Sequence, residues 1–231
     1  REIGLVFQES ALDRSLTVQE NLDFTAALYN LSPARIAGRV DELLGLFGLT
    51  ERRDTQVAHL SGGMRRALDI IRGVLHRPRI LLLDEPTIGL DVLNRRFIWR
   101  YLERLREEEG MTVLLTTHYL EEAEPCDWVT FLREGRAIGS GTPTEMLGAI
   151  GAYILEVTGA EEGLIEELRT RLGDPVQEGD RHLFRVRDPD TPLGDLEAVL
   201  RPRVRSILVR QPDLNDVYIW LNRSRTEGFG A

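Results

Sequence analysis

Ile80-Leu81-Leu82-Leu83-Asp84-Glu85-Pro86-Thr87 is the stretch that decides the fold. Aliphatic residues in an unbroken run, closed by two acids and a proline, predict a fully buried parallel strand over 79–84. Its polar residues then lie at the C-terminal rim, where open α/β sheets place their ligands. Thr112-Val113-Leu114-Leu115-Thr116 reads as a second such strand. Between them Leu93, Phe97, Tyr101 and Leu105 form an apolar stripe on a helix that Gly110 ends. Strand, helix and strand, with both strands apolar, imply a parallel sheet with a right-handed crossover.

Upstream, Ile3-Gly4-Leu5-Val6-Phe7-Gln8 reads as the end of a strand, and the chain opens on Arg rather than Met. The natural start is therefore expected before residue 1. Thr17-Val18-Gln19-Glu20 is a capping box, and Ser32-Pro33 is a second helix start with Pro at the first helical position. Residues from about 15 to 76 read as helices without a clear strand, the last running from Gly62 to about His76. Downstream come a short acidic helix at 119–124, a strand at 128–132, a turn at Glu134-Gly135 and a strand at 136–139. Beyond about 150 the texture changes to βαββαβα, which predicts a small ferredoxin-like α+β module. The expected domains are 1–150 and 151–231.

The 231 residues are 42% hydrophobic and 29% charged, an ordinary globular composition. A net charge of −9 argues against broad nucleic-acid binding, which needs a basic face. Cys126 is the lone cysteine, so no intrachain disulfide forms, and it reads as a small, partly buried residue. No apolar stretch approaches the ~18 residues of a membrane span. All 29 basic residues are arginine; the sequence has no lysine.

Asp84 sits at a fixed point on the sheet rim, where one carboxylate can hold Mg²⁺ through water. Glu85, one residue on, points differently and can polarise an attacking water. Alone, Asp-Glu-Pro also reads as a strand end capping a helix. Ser61-Gly62-Gly63 opens a helix, whose unpaired N–H groups and glycines suit an anion; alone it is an ordinary Ser N-cap. Arg65 and Arg66 add cationic charge nearby, or form a solvated face. His118 follows a buried strand and can donate to a phosphate at the rim. Gln8 likewise ends a strand, where its amide can meet Mg²⁺ or water. His59, His76 and His182 have no matching constellation and read as structural, and Trp99, Trp128 and Trp220 read as core.

In combination and in this order, the elements resemble the ATP-binding subunits of ABC transporters. Leu60-Ser61-Gly62-Gly63 is similar to the family signature, with Met64 where many members have Gln. Ile80 to Glu85 looks like the Walker B segment with its catalytic carboxylate, and Gly89-Leu90-Asp91 like the D-loop. His118 looks like the switch histidine and Gln8 like the Q-loop glutamine. Met64-Arg65-Arg66, Thr87 to Asp91, Gly139 to Pro143 and Asn215-Asp216-Val217-Tyr218 are similar to the ABC-2 exporter branch. The resemblance covers residues 1 to about 150, plus that closing motif.

The resemblance implies an α/β, P-loop NTPase-like parallel sheet with a helical subdomain, N-terminally truncated, followed by the small α+β domain. It implies an ATPase with ATP and Mg as cofactors. Glu85 and His118 would be catalytic, and Asp84 with Gln8 would serve Mg²⁺. Ser61, Gly62 and Gly63 would bind the nucleotide held by a second ATP-binding subunit, and Asp91 would couple the two sites. The partners implied are that second subunit, identical or not, and an ABC-2 type membrane permease; no nucleic acid is expected. The place implied is cytoplasmic, peripheral on the inner face of the cell membrane. The Walker A portion, with the P-loop lysine that reaches the β/γ-phosphates, is missing from these residues, so the chain alone is expected to be inactive. Two other readings stand beside this one. One is a non-transport ABC ATPase of DNA repair or the ribosome; the other is a remnant that lends its signature face to an intact subunit.

Overall fold

The computed structural model describes residues 2–226, and the chain forms two compact units, Arg1–His118 and Tyr119–Ala231.

In the first unit, β1 (Ile3–Val6) is followed by α1 (Val18–Leu28) and α2 (Pro33–Leu46). Short 3₁₀ turns at Thr50–Arg52 and Val57–His59 lead into α3 (Gly62–Val74), β2 (Ile80–Asp84), α4 (Val92–Glu109) and β3 (Thr112–Thr116). The sheet order is β1-β2-β3, all parallel, with Val6 opposite Leu83 and Asp84 opposite Thr116. The capping box is present as read: the Thr17 hydroxyl accepts from the Glu20 amide (3.2 Å) and the Glu20 carboxylate from the Thr17 amide (2.7 Å).

The core joins Val18, Leu22, Leu43 and Leu44 of the helices to Ile70 and Ile71 of α3 and to Leu81 and Leu83 of β2. α3 lies unusually close to β1. A Cβ on Gly4 would overlap the Gly73 carbonyl oxygen, and one on Gly73 would meet Val6 Cγ2 at 2.8 Å. Glycine at both positions is what lets helix and strand touch backbone to backbone.

Two expectations change. The strand over 79–84 is buried on one face and not on both: Leu81 and Leu83 are sealed, while Ile80 is 39% exposed. Ile3, Leu5 and Leu114 share that open face (47%, 49% and 63% exposed). The stripe on α4 also turns. Ile98, Leu102 and Leu105 face the core, while Phe97 and Tyr101 are partly buried and Leu93 is exposed. Phe97 and Tyr101 instead build an aromatic cluster with Phe47, which stacks on Tyr101 at 4.1 Å. Helix–helix aromatic packing therefore sets the rotation of α4.

The second unit begins with a 3₁₀ turn at Leu120–Glu122 and the antiparallel hairpin β4 (Val129–Arg133) and β5 (Arg136–Gly141). Glu134 (φ 51°) and Gly135 (φ 73°) form the hairpin turn with two positive φ angles, the form whose twist suits paired strands. A capping box at Thr142 and Glu145 then starts α5 (Pro143–Ile150), a helix the sequence reading does not foresee. The remaining elements are β6 (Tyr153–Thr158), α6 (Glu162–Leu172), β7 (Val176–Glu178), β8 (Arg181–Val186), α7 (Leu193–Leu200), β9 (Ser206–Arg210) and α8 (Leu214–Thr226).

Their sheet is antiparallel in the order β7-β8-β6-β9, the ferredoxin-like arrangement of βαββαβ. Leu155, Val157, Phe184 and Val186 face α6. Ile154 and Leu183 face the other way, onto Leu214, Val217 and Trp220 of α8. Val129, Phe131, Met146 and Ile150 share this second core, so the boundary read near 150 falls inside the second unit. Trp220 is buried (5% exposed), but Trp128 is 62% exposed, a correction to its reading as core.

Asp216 is fully buried at the start of α8. It accepts from Arg210 Nη1 and Nη2 (2.6 and 2.8 Å) and from the Asp213 amide (2.8 Å). Arg210 Nε also reaches Glu156 at 2.7 Å. The Asp216 bond, with Glu156 beside it, pushes the Arg210 guanidinium further up from its already high value. Removing the cation strands a carboxylate in an apolar core. Arg210→Ala should therefore lower stability by about 3–5 kcal/mol, checked by denaturant unfolding followed through tryptophan fluorescence. A loss below about 1 kcal/mol would mean that Asp216 does not need this partner.

Candidate functional site

Asp84 closes β2, and the parallel register sets Thr116 of β3 beside it. The Thr116 hydroxyl donates to Asp84 Oδ1 at 2.6 Å. The Glu85 amide donates to the Thr116 carbonyl (3.1 Å) and lies 3.2 Å from the Thr116 hydroxyl oxygen. One threonine thus orients the first carboxylate and anchors the backbone of the second.

Glu85 adopts φ +43°, a left-handed conformation that costs a non-glycine residue energy. The turn swings its side chain to His118, whose Nδ1 lies 3.2 Å from Glu85 Oε2. Glu85 is about one quarter exposed (26%) and His118 about half (51%), so both reach solvent at the rim. The structure therefore brings three sequence-predicted residues together: Asp84, Glu85 and His118.

Gln8 lies in the bend after β1, exposed, two residues beyond Val6 and at the same end of the sheet. Arg66 holds the backbone beside it and is the main correction here. It is not a solvated face but 7% exposed. Its guanidinium donates to the carbonyls of Pro86 (Nε, 2.6 Å), Phe7 (Nη1, 2.6 Å), Asp84 and Glu85 (Nη2, 3.0 Å each). Burial pushes its pKa down, and the nearby charges of Asp69 and Asp84 oppose that. Arg65 turns instead to the Leu60 carbonyl.

Ser61 caps α3, its hydroxyl accepting from the Met64 amide at 3.2 Å. A Cβ on Gly62 would meet nothing within 4 Å, so the space before the helix N-terminus is open to a ligand. Gly63 is different: a Cβ there would press on the Asn94 carboxamide at 2.8 Å. Asn94 is held in turn by Asp91, which caps α4 by accepting from the Asn94 amide (3.0 Å) and side chain (2.6 Å). Those two bonds pull the Asp91 carboxyl below its usual range. The signature glycines and Asp91 are thus neighbours through one asparagine.

Among the described residues, no group of three or more His, Cys, Asp or Glu side chains could hold a metal ion. A single rim carboxylate, with Gln8 at the same end of the sheet, does fit a cation that keeps several waters and takes phosphate oxygens, as Mg²⁺ does. The sequence reading missed Thr116, Asn94 and the buried role of Arg66. Only strand register and helix packing bring these to the site, and no local pattern marks them.

Residues 1–88 match the ABC transporter family model. The chain is 38% identical over 240 residues to the daunorubicin resistance ATP-binding protein DrrA2 of Streptomyces coeruleorubidus, covering 99% of this chain and 74% of that one. It is 39% identical over 222 residues to the Nod factor export ATP-binding protein I of Cupriavidus metallidurans, covering 95% and 72%. Among solved structures it is similar to CbiO1 from Clostridium perfringens, part of the ABC transporter complex CbiONQ. The TM-score is 0.58 at 30% identity, over 74% of this chain, which spans 64% of that one. With the rim carboxylates, histidine and signature helix arranged as described, this chain belongs to the ABC transporter ATP-binding subunits, ATPases of the exporter branch.

Proposed function

We propose that these residues power an ABC-2 type export permease by hydrolysing MgATP between two ATP-binding subunits. The observation that carries this reading is the Glu85–His118 contact of 3.2 Å, one residue from the rim carboxylate of Asp84. Glu85 is the group that orients and deprotonates the attacking water. His118 shares its Nδ1 proton with Glu85 and faces the terminal phosphate. Asp84, oriented by Thr116, and Gln8 would hold Mg²⁺ through water, and the bound cation would supply charge neutralisation at the phosphates.

Ser61, Gly62 and Gly63 offer the N-terminus of α3 to the nucleotide of the second subunit, and the open space before Gly62 supports that role. Asp91, tied to Gly63 through Asn94, couples the two sites. The protein works at the inner face of the cell membrane, docked on its permease. Among the described residues no helix is long and apolar enough to cross a membrane. The drug-resistance and Nod factor export relatives support the exporter branch, while the cargo is chosen by the permease.

These residues contain no lysine, so the purified 231-residue chain is expected to bind ATP weakly and to release phosphate at less than about one hundredth of the rate of a complete subunit. A phosphate-release assay on both proteins checks this, and comparable rates would overturn it. In the complete subunit, Glu85→Gln should lower kcat by about 10²- to 10³-fold with little change in KM. Glu85→Gly should also abolish turnover, yet raise stability by about 1 kcal/mol in denaturant unfolding, because glycine carries no penalty at φ +43°. A destabilised glycine variant would show that the turn is not strained.

A further inference from the structure

α3 carries a polar stripe at i, i+3 and i+6 that the roles above leave unused. Arg66 bonds the Phe7 carbonyl, on one side of Gln8, and the carbonyls of Asp84, Glu85 and Pro86. Asp69, 7% exposed, pairs with Arg72 Nη1 at 3.8 Å; burial pushes its carboxyl up, and Ser10, Arg66, Arg72 and Ala11 act against the shift. Arg72 bonds the Ala11 carbonyl (2.7 Å) and the Thr25 hydroxyl of α1 (3.0 Å). The loop around Gln8 is thus gripped from both sides by the helix whose first turn is Ser61-Gly62-Gly63.

We propose that Arg66, with Asp69 and Arg72, is the positioning device that fixes the Gln8 loop and the Asp84-Glu85 strand end to the signature helix. The metal- and water-handling side of one site then moves with the face offered to the partner's nucleotide. The inference rests on the function proposed above and adds the residues that join its two halves. Arg66 does this because one planar fork satisfies four carbonyls drawn from two chain segments, which an ammonium cannot do. Its role is positioning, since its guanidinium is committed to backbone carbonyls.

The test uses the complete ATP-binding subunit assembled with its permease, titrated with Mg²⁺ at fixed ATP. Arg66→Met should lower kcat about tenfold and raise the half-activating Mg²⁺ concentration about fivefold, because small displacements of positioned groups cost rate steeply. Binding of a fluorescent ATP analogue in EDTA should stay within about twofold, since the P-loop dominates it. Arg66→Lys should share most of the defect. Arg72→Gln, which loosens the Ala11 end and the Thr25 contact of α1 but leaves Arg66 in place, should move Mg²⁺ activation in the same direction by about twofold, and it decides the matter if Arg66→Met does not fold.

Mg²⁺ activation and kcat within about twofold of wild type would overturn the proposal. So would a parallel fall in Mg²⁺-free binding, kcat and melting temperature that Arg66→Lys restores, the mark of a purely structural residue. A wild-type complex without Mg²⁺-dependent turnover would instead overturn the parent function, and this inference with it.

Discussion

The guanidinium of Arg66 is the contact on which the sheet rim around Asp84 and Glu85 depends. A buried cation is costly unless every N–H finds an acceptor, and here the acceptors are backbone carbonyls at the ends of two parallel strands. Those carbonyls lie where the sheet ladder runs out and need donors of their own. Each side supplies what the other lacks, so hydrogen bonds tie the strand ends and the loop after β1 to the signature helix. The arrangement requires α3 to lie hard against the sheet. Gly4 and Gly73 permit that approach, since a side chain at either position would push the helix away.

Backbone strain falls on Glu85, the proposed catalytic carboxylate, as it does on Asn30, Arg77 and Glu134. Glu85 is held in a left-handed conformation by the Thr116 bonds to its amide and by Arg66 on its carbonyl. Surrounding structure over-determines this one position, the usual condition for strain to persist at a working site. The second unit uses similar physics for a structural end. Asp216 is sealed in the core, satisfied by a bidentate arginine and a backbone amide, and it locks α8 onto the sheet face opposite α6. Such a pair adds specificity more than net stability, because any misdocked α8 would leave a carboxylate buried without its cation.

Much of this was legible in the residues themselves. The Thr17 and Ser61 caps, the Glu134-Gly135 turn and the βαββαβα order after 150 are all written in local residue chemistry, and the structure carries each of them. The readings that changed are those that required knowing a neighbour. Arg66 looked like a surface cation because helical spacing does not say which side faces a sheet end. The α4 stripe turned because Phe47, distant in sequence, captured Phe97 and Tyr101. Residues 129 to 150 joined the second unit because their apolar side chains pack with Trp220 and Val217.

By itself the sequence determined which groups are present and in what order: signature, rim carboxylates, Asp91 and His118. Short-range rules of capping, turn chemistry and strand composition are enough for that, since each depends on residues a few positions apart. Only the tertiary structure decided which of these groups meet. Parallel register brings Thr116 to Asp84, a left-handed turn brings Glu85 to His118, and a glycine-lined helix–strand contact lets Arg66 bind Gln8's loop to both. Those pairings join residues 18 to 59 positions apart, and their energies come from burial and hydrogen-bond satisfaction, which no local pattern encodes.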